Sequence, residues 1–513
     1  MMNKPYAKIG AAVFIAIGAT WLGTTWYGGQ QIMKRYPEAL AKMNTSQFGT
    51  MKFVITKQEY GFLTSHVNWD LVMTPNPCAP SVTIKVSGYD DIHNGVIPSL
   101  GFGQIETHIL WPEGMKSLVT QVFGTQEPLK ITTNIGLLGK LTTHISSPAA
   151  TYNTDQVAFD WKGFSAEIKS NQDMTRSRIK FDSDGGVMTS NDKALGVEMD
   201  HIHFEGESNK GVSGLGLGSG QFIANGLKVD KDGQIFGFKG LKIETDSSEK
   251  EGFFAVKIKS HVDQLVQDDK SIGSIDFALG ADHIDAQALK NVIDIARKMQ
   301  TECQPARGEL LQAVQPIFAK GLTSELDHVD FDYRGGQAHA EAKANLPALT
   351  AAEIQDPKQA VLKLEVDGKA SVTQKLVTII VDMLAQAHSN GHPVDPQQSA
   401  QMVDAMLTKV LETGFVSKVD DNTGTNYVST LKLRQGKITL NDKSLDLPNP
   451  ANPTPVNPFA VNQGMSNSQG PNIQSMNQIM SRSRGVSISG GQGIVNSQGL
   501  GESNMGASYN QLH

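Results

Sequence analysis

Residues 254–259 read FAVKIK, in which Phe254, Val256 and Ile258 alternate with Ala255, Lys257 and Lys259. A period of two places the first set on one face of a strand and the second on the other, one buried and one wet. The rhythm recurs on both sides. Leu241 and Ile243 bracket Lys242 and precede Glu244; Ile275, Phe277 and Leu279 alternate in the same way, as do Leu362, Leu364 and Val366. Turn signals separate the runs at Asp184-Gly185-Gly186, Asp232-Gly233, Gly335-Gly336 and Gln435-Gly436. Together they predict successive antiparallel hairpins over residues 53–279.

Four stretches switch to a helical period. Leu289, Val292, Ile293, Ala296 and Met299 form one apolar stripe, with Asp285 placed as its N-cap; Leu310, Leu311, Val314, Ile317 and Phe318 form a second. Val372, Leu376, Ile379, Ile380, Met383 and Ala387 make a third, and Met402, Val403, Met406, Leu407, Val410 and Leu411 a fourth. A strand ending at Gly280 leads to two helices and a hairpin at Gly335-Gly336, and a strand ending at Gly368 leads to two helices and a hairpin at Gln435-Gly436. This reads as a duplicated β-α-α-β-β module. The expected fold is therefore α+β, predominantly antiparallel β: elongated twisted sheets of successive hairpins with two inserted helix pairs, preceded by one transmembrane helix.

The transmembrane segment is residues 9–29, IGAAVFIAIGATWLGTTWYGG, which holds no charge. At about 1.5 Å per residue it spans a hydrocarbon core of roughly 30 Å. Ile9 and Phe14 sit in its apolar body, Lys4 and Lys8 precede it, and Trp21, Trp26 and Tyr27 lie toward its far end, where aromatic rings favour the lipid–water boundary. Lys34 and Arg35 follow it, which softens the charge bias. The competing reading is a cleavable signal peptide ending near Ala16 and Gly18 or Ala19, and the continuation of the apolar run into the aromatic belt favours an uncleaved anchor. Either reading exports residues 30–513, which in a bacterium means a periplasmic bulk, and the favoured anchor reading adds a cytoplasmic N-terminus and a single pass through the inner membrane.

The 513 residues predict several structural units. These are a cytoplasmic N-terminus (1–8), the anchor (9–29), a stem (30–52) with a helix over 32–43 broken around Pro37, a β-rich region (53–279), an α+β region (280–447) and a disordered tail (448–513) rich in Pro, then Asn, Gln, Gly and Ser. With 45 Lys and Arg against 52 Asp and Glu, the net charge of −7 points to no nucleic-acid partner. Two cysteines exclude a disulfide-stapled scaffold and a Cys-rich zinc site. Cys78 and Cys303 both fall on the expected oxidising side. They either pair or stand as two separate thiols, a choice that turns on whether their Cα atoms come within about 7 Å.

Other motifs point to structure rather than chemistry. His201-Ile202-His203 puts two imidazoles on one strand face, but a metal needs a third ligand, and none is identifiable, so a solvent-facing pair is expected. The run from Gly214 to Gly220 lacks the helix and acidic partner of a nucleotide loop and reads as a glycine-rich strand or bulge. Asp230-Lys231-Asp232-Gly233 lacks the downstream acids of a calcium loop and reads as a hairpin turn. There is no GxSxG elbow. No catalytic, cofactor-binding or metal residue is assigned, and the chain is expected not to be an enzyme.

Three segments carry a resemblance. EYGFLTSH at 59–66, HNGVIP at 93–98 and LKLRQGKITLND at 431–442, following an N-terminal anchor, resemble the YdgA-like family of bacterial envelope proteins. The second departs from that family's HGPFP-like form in its middle residues. The likeness runs from the anchor to about Leu447. It implies an inner-membrane-anchored periplasmic protein that forms a homodimer, in a family of unassigned biochemical function with no catalytic residues to carry over. Two function classes follow. The first is a noncatalytic envelope protein acting through self-association or binding of an envelope partner. The second is a β-groove protein that holds lipid or another hydrophobic ligand. The first ranks higher on sequence, because Lys257, Lys259, Lys363 and Glu365 mark a solvated face.

Overall fold

The computed structural model describes residues 30–445, apart from 35, 39, 42–43, 45–49, 75, 77, 79–82, 98–100, 137–138, 193, 304–306, 389–395 and 422–423. The anchor residues Ile9, Phe14, Trp21, Trp26 and Tyr27 and the tail at 448–513 lie outside the described residues. Among the described residues no helix is long and apolar enough to cross a membrane.

Among the described residues the fold is mostly antiparallel β sheet, one hydrogen-bonded sheet of 24 strands with helices added. Its spine is four long neighbours, Gly216–Lys231, Gln234–Lys250, Phe253–Gln267 and Lys270–Asp285, joined by tight turns. Each is about 50 Å long at about 3.3 Å per residue. The Phe254, Val256 and Ile258 alternation sits in the third of them. The sheet passes residue 280 without interruption, because Lys270–Asp285 pairs onward with Leu322–Tyr333.

Toward the N-terminus the sheet divides. The strand Gly216–Lys231 is bordered on one edge by two different strands: Ile202–Lys210 pairs with its first part and Leu195–Met199 with its last. The first arm continues through Arg176–Ser183, Phe164–Ser170, Leu141–Ser147 and Lys130–Ile135 to the meander of Met51–Glu59, Thr64–Met73, Ile84–Ile97 and Gly101–Leu110. The second continues through Gly186–Ser190 and Val157–Trp161 to Ala150–Asn153.

The first β-α-α-β-β module appears as Lys270–Asp285, helices Ala286–Glu302 and Arg307–Ala319, then strands Leu322–Tyr333 and Gly336–Leu346. Asp285 caps the first helix, accepting from the Ala288 amide at 2.7 Å. The second module starts at Glu365–Thr373 and has helices Gln374–His388 and Pro396–Thr413, but an additional short strand, Ser417–Asp421, precedes the hairpin of Gly424–Arg434 and Lys437–Leu440. Val372, read as the start of the third helical stripe, lies instead on the strand Glu365–Thr373, the helix beginning only at Gln374. Three further differences from expectation have local causes. Leu362 lies on a helix, Pro357–Lys363, because Asp356 caps it and Pro357 fixes its first turn. A further short helix, Ala351–Gln355, starts at a capping box between Thr350 and Glu353. Within the expected all-strand region stands the helix Glu113–Phe123, which follows Pro112 and packs on Ala150–Asn153.

Two apolar clusters sit at the ends of the sheet. At one end helical positions 30–34 and 36–38, Pro37 among them, lay Met33 and Tyr36 on Val67, Ile92 and Ile105. At the other, Val403 and Leu407 pack with Tyr427, Val372 and Val381.

Candidate functional site

Strand register joins side chains into rows. His66, Asp91, Glu106, Thr132, His144, Glu167, Lys180, Glu205, Gln221, Glu244 and Lys259 are consecutive cross-strand partners, so one face carries an unbroken polar row. One position along each strand lies the opposite face, where Ile131, Ile145, Ala166, Phe181, Phe204, Phe222 and Ile243 are consecutive partners. All are half-buried. The helices that pack substantially on strands engage Ala150–Asn153, Lys270–Asp285, Gly336–Leu346, Glu365–Thr373 and Gly424–Arg434. The central apolar row lies on none of those strands.

The polar face is built from imidazoles and carboxylates. His66, His93, His108, His144, His201, His203, His261, His328 and His339 each have a ring nitrogen within 4.0 Å of an Asp or Glu oxygen. His283 instead stacks on Phe253, with centroids 3.7 Å apart. The Asp276 carboxylate bridges two rings, His261 Nδ1 on one oxygen and His328 Nε2 on the other, each at 2.5 Å. Burial works to raise the Asp276 carboxyl, and the hydrogen bonds from His328 and His261 override it and hold it below the usual value. The His261 ring is raised, chiefly by its bond to Asp276. Beside this face lies a cleft of about 730 Å³ whose walls carry both signs, with Arg178, Lys257 and Lys259 against Glu205, Glu207 and Glu244.

His201 and His203 meet a third group. Asp182 stands directly opposite His203 in the register, with His203 Nδ1 2.7 Å from Asp182 Oδ1. One donor atom from each of Asp182, His201 and His203 lies within 4.8 Å of the other two. The expected solvent-facing pair is therefore a three-group cluster. The His203 side chain is only 19% exposed, since cross-strand neighbours pack beside it. The hydrogen bond from His203 leads in holding the Asp182 carboxyl below its usual value.

On the apolar side one acid is buried. Asp90 is 5% exposed and accepts from Trp69 Nε1 at 3.2 Å and from the Tyr36 hydroxyl. Burial raises its carboxyl pKa, against the bonds from Tyr36, Thr107 and Trp69.

Residues 2–448 match a family described as bacterial protein of unknown function (DUF945). The chain belongs to this family. No curated protein and no solved structure matches it.

Of the three segments that carry the YdgA-like resemblance, the first two are neighbours in this fold. Thr64 is opposite His93, with Thr64 Oγ1 and His93 Nδ1 3.3 Å apart, and the Asn94 amide donates to the Leu63 carbonyl at 2.6 Å. The segment 431–442 contains a tight hairpin, Gln435 and Gly436 taking positive φ at its turn. Cys78 and Cys303 form a disulfide with Cα atoms 5.1 Å apart, tying the loop after Thr64–Met73 to the end of the helix Ala286–Glu302. The glycine run opens the strand Gly216–Lys231, and a side chain at Gly218 would collide with the Glu207 carbonyl. Asp230-Lys231-Asp232-Gly233 is a hairpin turn in which the Gly233 amide donates to Asp230 Oδ1 at 2.9 Å.

Proposed function

We propose that this is a noncatalytic protein of the bacterial envelope, of YdgA-like type, held in the inner membrane by residues 9–29 with its bulk in the periplasm. Its working part is the central apolar face of the sheet, which holds the acyl chains of a lipid or a comparable elongated hydrophobic ligand. The observation that carries this reading is the row from Ile131 through Phe181, Phe204 and Phe222 to Ile243, which runs across seven consecutive strands with no helix laid substantially upon it among the described residues. A contiguous, half-buried apolar strip of that extent is unusual for a surface left to water. Its counterpart on the other face is polar throughout, so ligand and solvent are separated by the pleat of the strands.

Full chain extracted from cells in mild detergent is expected to show lipid-sized mass additions in native mass spectrometry, lost in a Phe204→Glu, Phe222→Glu double variant that keeps its circular dichroism spectrum. Protein mass alone for the parent chain would remove the ligand reading.

A second reading, self-association as a homodimer or docking of an envelope protein, is favoured by a different feature. The helix Gln374–His388 leaves Ile380, Met383 and Leu384 46%, 51% and 56% exposed, an outward apolar edge suited to a protein surface. In-cell crosslinking at Met383, replaced by a photoreactive residue, separates the two: adducts of protein mass support docking, and their absence leaves the lipid reading.

A further inference from the structure

We infer that Asp182, His201 and His203 form a binding site for a divalent transition metal of the zinc class, placed where the sheet divides. Two imidazoles and a carboxylate are the donor types such ions select. The fold brings them together by two independent constraints. His201 and His203 share a face because they are two apart along the chain, and Asp182 joins them because antiparallel register sets it directly opposite His203. The cluster is held at a backbone junction: the Asn225 amide donates to the His201 carbonyl and the Asp200 amide to the Gly226 carbonyl, each at 2.9 Å, where the chain passes from one arm of the sheet to the other.

The spacing is close to a closed site. Donors bound at about 2.0 to 2.2 Å around a tetrahedral zinc lie about 3.4 Å apart, and here the three donor atoms lie within 4.8 Å of one another. Side-chain shifts of about 1 Å close the difference without moving the strands. The Asp184 carboxylate, 3.4 Å from His201 Nδ1, orients that ring as carboxylates orient metal-binding imidazoles elsewhere. His201 is 38% and Asp182 34% exposed, which leaves an entry path and coordination positions for water. One competitor is already present: the Lys180 ammonium stands 3.4 Å from Asp182 Oδ2 and must swing away when a dication enters. Bound metal would clip the strands Arg176–Ser183 and Ile202–Lys210 together beside the division.

Titration of full chain in detergent with zinc sulfate, and with cobalt chloride for its visible absorption, tests the site. The expected result is one site whose affinity falls at least about tenfold in Asp182→Asn and in His203→Ala, as for lost metal-supporting groups generally, and rises in Lys180→Met. The Lys180 variant guards against misfolding, since loss of structure cannot tighten binding. Metal uptake that is absent from the parent chain, or that is unchanged in an Asp182→Asn, His201→Ala, His203→Ala triple variant, would overturn the inference.

Discussion

The Tyr36 hydroxyl donates to Asp90 Oδ2 across 54 positions of chain, pinning the helical segment that follows residue 29 onto the first strands of the sheet. Trp69 approaches the same carboxylate from within the sheet. A charge held away from water by a few fixed donors is costly to leave half-satisfied.

Tyr36→Phe should therefore destabilise the protein by about 1 to 3 kcal/mol, the range for stranding a buried polar partner. The loss has a pH signature. Asp90 has its folded pKa raised, so between the unfolded and folded values the native state binds more protons than the unfolded chain, and its contribution is favourable below the unfolded value near 4 and is lost as pH rises through the folded value. The Tyr36 bond serves the ionised form, so chemical unfolding of Tyr36→Phe should show a larger deficit near pH 7 than near pH 4. Equal deficits at both would refute the assignment.

Breaking the bridge between Cys78 and Cys303 releases a constraint over a sequence separation of 225. A Cys78→Ser, Cys303→Ser double variant should lose about 2 to 5 kcal/mol against the oxidised parent, with the difference closing once reductant is added. Thiol labelling in intact cells adds a second measurement: both cysteines should resist alkylation if the bulk of the chain faces an oxidising compartment.

The Asp276 bridge predicts a window of pH. The lowered Asp276 carboxyl contributes stability above its unfolded value, lost as pH falls through the folded one; the raised His261 ring contributes below its unfolded value near 6.5, lost as pH rises through the folded one. The penalty of His261→Gln, measured by urea unfolding, should be greatest near pH 5.5 and should shrink by about pH 8.5. A penalty that grows with pH would contradict the bridge.

Asp285 makes a fourth test. It caps the helix Ala286–Glu302 and pairs with Lys320 at 2.5 Å. Asp285→Ala should cost about 1 to 2 kcal/mol, and Asp285→Asn should recover part of this by keeping the cap without the charge. Burial works to raise this carboxyl, but Lys320 and the Ala288 amide hold it low, so the Asp285→Ala penalty should fade as pH drops below about 4.

Where local pattern governs, the sequence was readable. The alternation at Phe254, Val256 and Ile258 and the cap at Asp285 depend on neighbours a few positions away, and the structure shows both. Asp356 and Pro357 carried an equally local start signal, but the alternation of Leu362, Leu364 and Val366 imitated a strand. Non-local pairing was another matter. That Leu141–Ser147 lies beside Phe164–Ser170, or Leu195–Met199 beside Gly216–Lys231, depends on loops folding back, which no short-range period encodes. Asp182 was missed for the same reason, since only register sets it against His203. The central apolar row was likewise hidden, its members being scattered over seven strands until pairing aligned them.

The division of the sheet at Gly216–Lys231 fixes a parity. Ala224 closes the pairing to one arm and Leu227 opens the pairing to the other, with Asn225 and Gly226 between them. Deleting Asn225 alone would invert the inside and outside of one arm relative to its sibling, turning oily side chains of that arm to water, whereas removing two residues there would restore the phase. Length variation among descendants of this chain should consequently come in even steps at that spot.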